Sequence, residues 1–357
     1  MAHNARKEDY QRLALRFIHS LDGSEPLAAM KAFASFGQTF AQRRDSLPQT
    51  DADRAFNLVA AATEVVDYRL PFATGDAATE LVARGKKLLN EAIALDPNCF
   101  DALRMRSSTE HTSVSARYTY LAEEEPRVRE ACEAARAKVA AQEPDPERAG
   151  VAADLAMRPY LRWVSSMAEQ ALICGRNRQS AELARKLLEL DASDLSDARY
   201  TLALALAKLE DEAGLDELQR RYRGFNTARG VNDAWMLIAR LALAHKRCDL
   251  DGARDRLAEL LHAYPTGAVA LLRQNELPDG EFARIQTDAY SEDELVVALS
   301  ESVVLLQEGN DRSGRGVLGT WVANETARMR PQAVAEAQAL EAQIQAMYGT
   351  QQGGDAR

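Results

Sequence analysis

A recurring helix with a recurring stop constrains this chain more than any other feature. GKKLLNEAIALDPN (Gly85 to Asn98), NRQSAELARKLLELDASD (Asn177 to Asp194) and LDGARDRLAELLHAYPTG (Leu250 to Gly267) each carry apolar residues at helical spacing and close on Asp-Pro, Asp-Ala or Tyr-Pro. REACEAARAKVAAQEPDP (Arg129 to Pro146) has the same rhythm, and a further helix is expected after each stop, near Asp101, Asp154, Ser196 and Ala268. Gly85, Cys132, Ser180 and Ala253 all stand 12 residues before the break positions Pro97, Pro144, Ala192 and Pro265. A small side chain at that point lets two helix backbones cross closely. The breaks lie 47, 48 and 73 residues apart, and the widest interval suits two units with a degenerate break in RRYRGFNTARG. Helix pairs of this kind bury their apolar faces by stacking on one another.

Composition agrees with an all-α chain. Among 357 residues there are only 19 glycines and 11 prolines, so turn-formers are sparse, while 46% hydrophobic residues supply a core. A net charge of −10 disfavours nucleic acid and anionic membranes as partners. Cys99, Cys132, Cys174 and Cys248 form no CxxC pair and read as reduced, buried small hydrophobes of a cytoplasmic protein. MAHNARKEDYQRLALRFIHSL threads charges through its apolar positions and is no signal peptide. Apolar runs such as Leu202 to Ala207 fall far short of the roughly 20 residues that span a bilayer.

Outside the repeats the spacing predicts helices over Glu8 to Leu21, Pro26 to Phe40 and Ala52 to Tyr68, then a loop from Arg69 to Thr79. A capping box, Ser291 to Glu294, opens SEDELVVALSESVVLLQEG, and Pro331 starts a last helix through about Tyr348. The expected organisation is an N-terminal bundle over 1–75, helical repeats over 76–330, a C-terminal helix over 331–348 and a disordered tail over 349–357.

MRPYLRW (Met157 to Trp163), followed by GRNRQSAELARKLLELDASDLSDARYTLAL (Gly175 to Leu204), resembles bacterial tetratricopeptide-like proteins related to the suppressor-of-tumorigenicity-7 family. DAWMLIARLALAHKRCDLDGAR, YPTGAVALLRQNELP and the segment around Trp321 extend the likeness to roughly Leu95 to Asn324. The intervals exceed the ordinary 34-residue period, and the turn DASDLSDARY lacks the Asn-rich sequence of the family. The resemblance implies a tetratricopeptide-like superhelix with an N-terminal helical cap, acting as an interaction scaffold with no reaction of its own.

Two sets of residues are candidates for partner binding. Arg158, Tyr160 and Arg162 surround Pro159, which is expected to begin a helix. Either arginine could anchor a partner's carboxylate through its planar fork, against the plainer reading of salt bridges between repeats. Arg199, Tyr200, Asn232, Trp235 and Arg240 fall on first helices of the repeats, where a concave groove would take a protein or peptide, although Trp235 reads more readily as core. Arg220, Arg221, Tyr222, Arg223 and Phe225 form a basic-aromatic cluster better read as a solvated face than as a base-stacking surface. His245 and Cys248 offer two metal ligands where structural zinc needs four, the glycines of GNDRSGRG lack a phosphate loop's lysine, and Glu123 to Glu125 read as a helix start before Pro126. No catalytic residue, metal or cofactor is expected, and self-association is possible. The alternative is an enzyme or small-ligand sensor with a pocket between the N-terminal bundle and the repeats, which would need convergent polar groups with perturbed pKa values.

Overall fold

In the computed structural model, residues 4–21, 26–222, 233–274, 287–309 and 315–352 are described, and among them every regular element is helical. The packing divides into two units, Met1–Cys174 with Glu189–Asp191, and Gly175–Leu188 with Ala192–Arg357. No helix among the described residues is long and apolar enough to cross a membrane.

The first unit contains α1 (Ala5–Ser20), α2 (Pro26–Arg43), α3 (Asp51–Val66), α4 (Gly75–Leu95), α5 (Phe100–Glu110), α6 (Val114–Gln142) and α7 (Pro146–Ile173). Their starts follow local chemistry. Asn4 accepts from the Lys7 amide, Thr50 and Asp53 close a capping box on α3, and Ser113 and Asp145 cap α6 and α7. Ala55, Phe56, Val59 and Ala62 of α3 share one core with Leu89 and Ala92 of α4 and with Ala102 and Met105 of α5. That core runs unbroken past residue 75, where the bundle was expected to end. A second cluster joins Leu13 of α1 to Phe36 of α2 and Leu47.

The second unit holds most of α8 (Asn177–Leu190), then α9 (Ala198–Lys208), α10 (Glu212–Tyr222), α11 (Ala234–Lys246), α12 (Leu250–Ala263) and α13 (Ala268–Arg273). It continues with α14 (Glu292–Glu301), α15 (Val303–Leu306), α16 (Val317–Met329) and α17 (Pro331–Gln352). Helices α8, α12 and α13 begin where the sequence pattern puts them. Gly85, Cys132, Ser180 and Ala253 are all buried. A Cβ on Gly85 would stand 2.7 Å from a Val66 methyl, so at this position a small residue is required where α4 crosses α3.

Three expectations need correction. Pro126 and Pro159 start no helix: each lies inside a long one, α6 or α7. An internal proline costs a helix about 3 kcal/mol, and the side-by-side packing of these two long helices offsets it. Glu294 does not complete a capping box with Ser291, because its carboxylate turns instead to the Tyr290 amide (2.7 Å) and the Tyr264 hydroxyl (2.8 Å). The last helix passes Tyr348 and reaches Gln352.

Candidate functional site

The MRPYLRW motif faces inward. Pro159 has no N–H, so the Leu155 carbonyl one turn earlier loses its helical partner. Arg12 of α1 reaches it from Nη2 at 3.4 Å while holding Glu8 at 2.7 Å, and its guanidinium lies 4.2 Å from the centre of the Phe56 ring. Arg162 grips Asp101 with Nε (2.6 Å) and Nη2 (2.5 Å) and donates from Nη1 to Glu8 at 2.8 Å. Arg158 completes the ring, 3.4 Å from Glu8 and hydrogen-bonded to Gln11 at 3.0 Å. Tyr160 donates to Glu125 at 2.6 Å, and the Trp163 indole donates to the Leu121 carbonyl at 2.9 Å, in the turn before Pro126.

One short stretch of α7 thus joins α1, α5 and α6. Burial alone would raise the Asp101 pKa, but the charge and hydrogen bonds of Arg162, helped by Arg104, bring it below the ordinary value. Arg162 is correspondingly raised. Arg158, Tyr160 and Arg162 therefore meet carboxylates of their own unit, and their forks are not presented to solvent. Fork geometry had suggested a carboxylate partner for these arginines, and in the structure that partner is internal.

Most of the second candidate set is also interior. Arg199 is 2% exposed and lies against Asp194 (2.7 Å) and the Tyr200 hydroxyl (2.7 Å). Asp194 and Asp197 adopt left-handed backbone with φ of 51° and 53°, which curls the turn around that guanidinium. Burial pushes the Asp194 carboxyl up to about 6, against the pull of Arg199. Tyr200 stacks on Trp235 with ring centres 3.8 Å apart, and the Trp235 indole donates to buried Glu301 at 2.6 Å. These are core contacts. Asn232, Arg223 and Phe225 lie outside the described residues, as do the side chain of Tyr222 and Gly314 of the glycine-rich turn.

Arg240 alone reaches an opening. It stands with Met236 and Leu237 of α11, Asp216 and Gln219 of α10, and Arg256 and Glu259 of α12 around a cleft of about 180 Å³. Its guanidinium holds Asp216 at 2.6 Å and Gln219 at 2.8 Å, while Arg256 holds Glu259 at 2.7 Å. The walls are two ion pairs, and Met236 and Leu237 give it an apolar part.

A further cluster escaped the sequence reading. Asp67 and Tyr68 at the end of α3, Arg104 and Ser107 of α5, Arg117 of α6, and Ser166 and Glu169 of α7 converge in the first unit. Arg104 donates to Ser166 at 3.3 Å and Arg117 to Ser107 at 3.2 Å. Burial raises the Asp67 carboxyl to about 6, against the field of Arg104 and with that of Glu169. Burial and the neighbouring charge of Arg104 lower Arg117 to about 10. Nothing in the spacing of these residues marked them, because four helices supply them.

The cysteines divide. Burial pushes the thiols of Cys99 and Cys132 up to about 12 and 11, so both are poor nucleophiles. Cys248 is exposed, against expectation, because it follows α11 in a left-handed turn with φ of 59°. Among the described residues no three potential metal-ligating side chains gather. No family model matches the chain, and neither a curated protein nor a solved structure does.

Proposed function

We propose that the chain is a non-catalytic, tetratricopeptide-like interaction protein of the cytoplasm that binds a protein or peptide through its second unit, at the cleft around Arg240. The cleft carries this reading. At about 180 Å³ it is smaller than the roughly 300 Å³ at which small-molecule pockets begin, and it suits one side chain offered by a larger partner. Its ion-paired walls give direction to a polar or charged side chain, and Met236 and Leu237, themselves buried, line it. The buried small residues at Gly85, Cys132, Ser180 and Ala253 support the repeat-like packing on which the reading depends.

Selection of random peptides on the immobilised full chain tests it. Enriched peptides that bind the wild type and lose about tenfold or more in affinity on Arg240→Ala are the expected result. Failure to enrich any peptide, or enriched peptides indifferent to Arg240→Ala, would remove the cleft from the account.

A further inference from the structure

We propose that α2 of the first unit docks onto α17 of a second copy of this chain, so that the protein associates with itself through two different helix faces. The inference does not depend on the Arg240 cleft.

α2 is held to its own unit along one side. Phe36 turns inward, meets the rings of Tyr10 and Phe17 at 5.1 Å, and shares a core with Leu13 and Leu47. The opposite side is open: Met30 is 64% exposed and Phe33 45%, and Ala34, Gln38 and Ala41 are exposed as well. Met30, Ala34, Gly37 and Ala41 follow one another at steps of four, three and four, which sets them on one stripe of the helix. Phe33 borders that stripe, its ring parallel to that of Phe36 with centres 6.2 Å apart. An outward helix face is ordinarily charged, and apolar side chains gathered on one mark a surface of interaction. α2 has no acid among its 18 residues, and its only charges are Lys31 and Arg43.

α17 has the complementary character. It packs on α13 and α16 with Ala333 buried and Val334, Ala337 and Ile344 half-buried. Ala335, Ala339, Ala342 and Ala346 are exposed and repeat the steps of four, three and four. The helix has no basic residue, and its only charges are Glu336 and Glu341. Arg273 holds Glu341 at 3.1 Å, whereas among the described residues Glu336, Lys31 and Arg43 have no ion-pair partner.

Charge decides which faces meet. Two copies of α2 would bring cations together and two copies of α17 would bring acids together, and like charges in an interface repel. Only α2 on α17 opposes cations to acids. It also lays the large side chains of Met30 and Phe33 against methyl groups, which lets two helices approach closely. From first to last each stripe runs 11 positions, or about 17 Å of helix. A contact of that length is small beside the roughly 1,200–2,000 Å² of stable interfaces, so the association is weak and depends on concentration.

Sedimentation of the full chain between about 5 and 500 µM tests this. The wild-type mass is expected to rise above that of one chain across the range, and less steeply in high salt. Lys31→Glu with Arg43→Glu, and separately Glu336→Lys with Glu341→Lys, should each weaken self-association about tenfold or more, with helicity unchanged by circular dichroism. Mixing the two reversed chains should restore it, because each then offers a face that the other opposes. Met30→Ser, at a mostly exposed position, should weaken it with every charge kept. If the α17 variant fails to fold, the α2 reversal and Met30→Ser carry the comparison. A single-chain mass throughout the range would overturn the proposal. So would association indifferent to the α2 reversal, or a mixture of folded reversed chains that stays apart.

Discussion

Two aspartates of the first unit, buried Asp101 and half-buried Asp67, have their pKa values moved in opposite directions. Burial pushes both carboxyls up, yet Asp101 ends below its ordinary value and Asp67 rises to about 6. Contact makes the difference. Arg162 touches Asp101 with two nitrogens at 2.6 and 2.5 Å, whereas Arg104 acts on Asp67 without an ion pair between them. At contact, charge and hydrogen bonds together outweigh desolvation; at longer range the charge alone does not. The contacts of Arg162 with Asp101 and Glu8 make that cluster a joint between helices.

The largest effect should come from opening the joint. Arg162→Met leaves Asp101 and Glu8 buried against fewer positive charges, and loss of one partner from a buried pair costs about 3–5 kcal/mol. Urea unfolding should show a loss of that order; a change below about 1 kcal/mol would place the joint among ordinary surface pairs. Next is the helix crossing of the second unit. Ser180→Leu or Ala253→Leu overpacks a fully buried position and should cost about 1–3 kcal/mol. Thermal melting of both variants at the wild-type temperature would sink the crossing. Smaller still is the notch at Pro159. Pro159→Ala restores an amide for the Leu155 carbonyl, so Arg12 loses one acceptor and the effects of Pro159→Ala and Arg12→Met should not add. A double-mutant cycle should give a coupling of about 1 kcal/mol, and strict additivity would deny the link between proline and arginine.

Much of the helical layout was legible in the sequence because helix periodicity and break residues are local. α8, α12 and α13 start where spacing put them, and Gly85 lies at a crossing that its lack of a side chain permits. The two internal prolines were misread for the same reason: locally a proline ends a helix, and only the packing of α6 on α7 reverses that. The sites were barely legible. Arg162 meets Glu8 across 154 positions, a separation over which no motif reports. Arg199, Tyr200 and Trp235 carried the right chemistry for recognition, but their partners turned out to be each other and buried acids. Asp67 gave no signal at all, since its neighbours come from three other helices.

The most direct measurement of the contrast between the two aspartates is unfolding free energy against pH for the wild type, Asp101→Asn and Asp67→Asn. Asp101 has a lowered folded pKa, so its stabilisation is present above the unfolded value of about 3.9 and fades as the pH falls through the folded value. Asp67 has a raised one, so folding favours its protonated form, and stability is lost as the pH rises from about 4 through 6. At pH 7 Asp101→Asn should be less stable than the wild type by several kcal/mol, and Asp67→Asn more stable by up to about 3 kcal/mol, a gain that vanishes below pH 4. Destabilisation by both substitutions at pH 7, or a gain from Asp67→Asn that does not change with pH, would contradict the contrast.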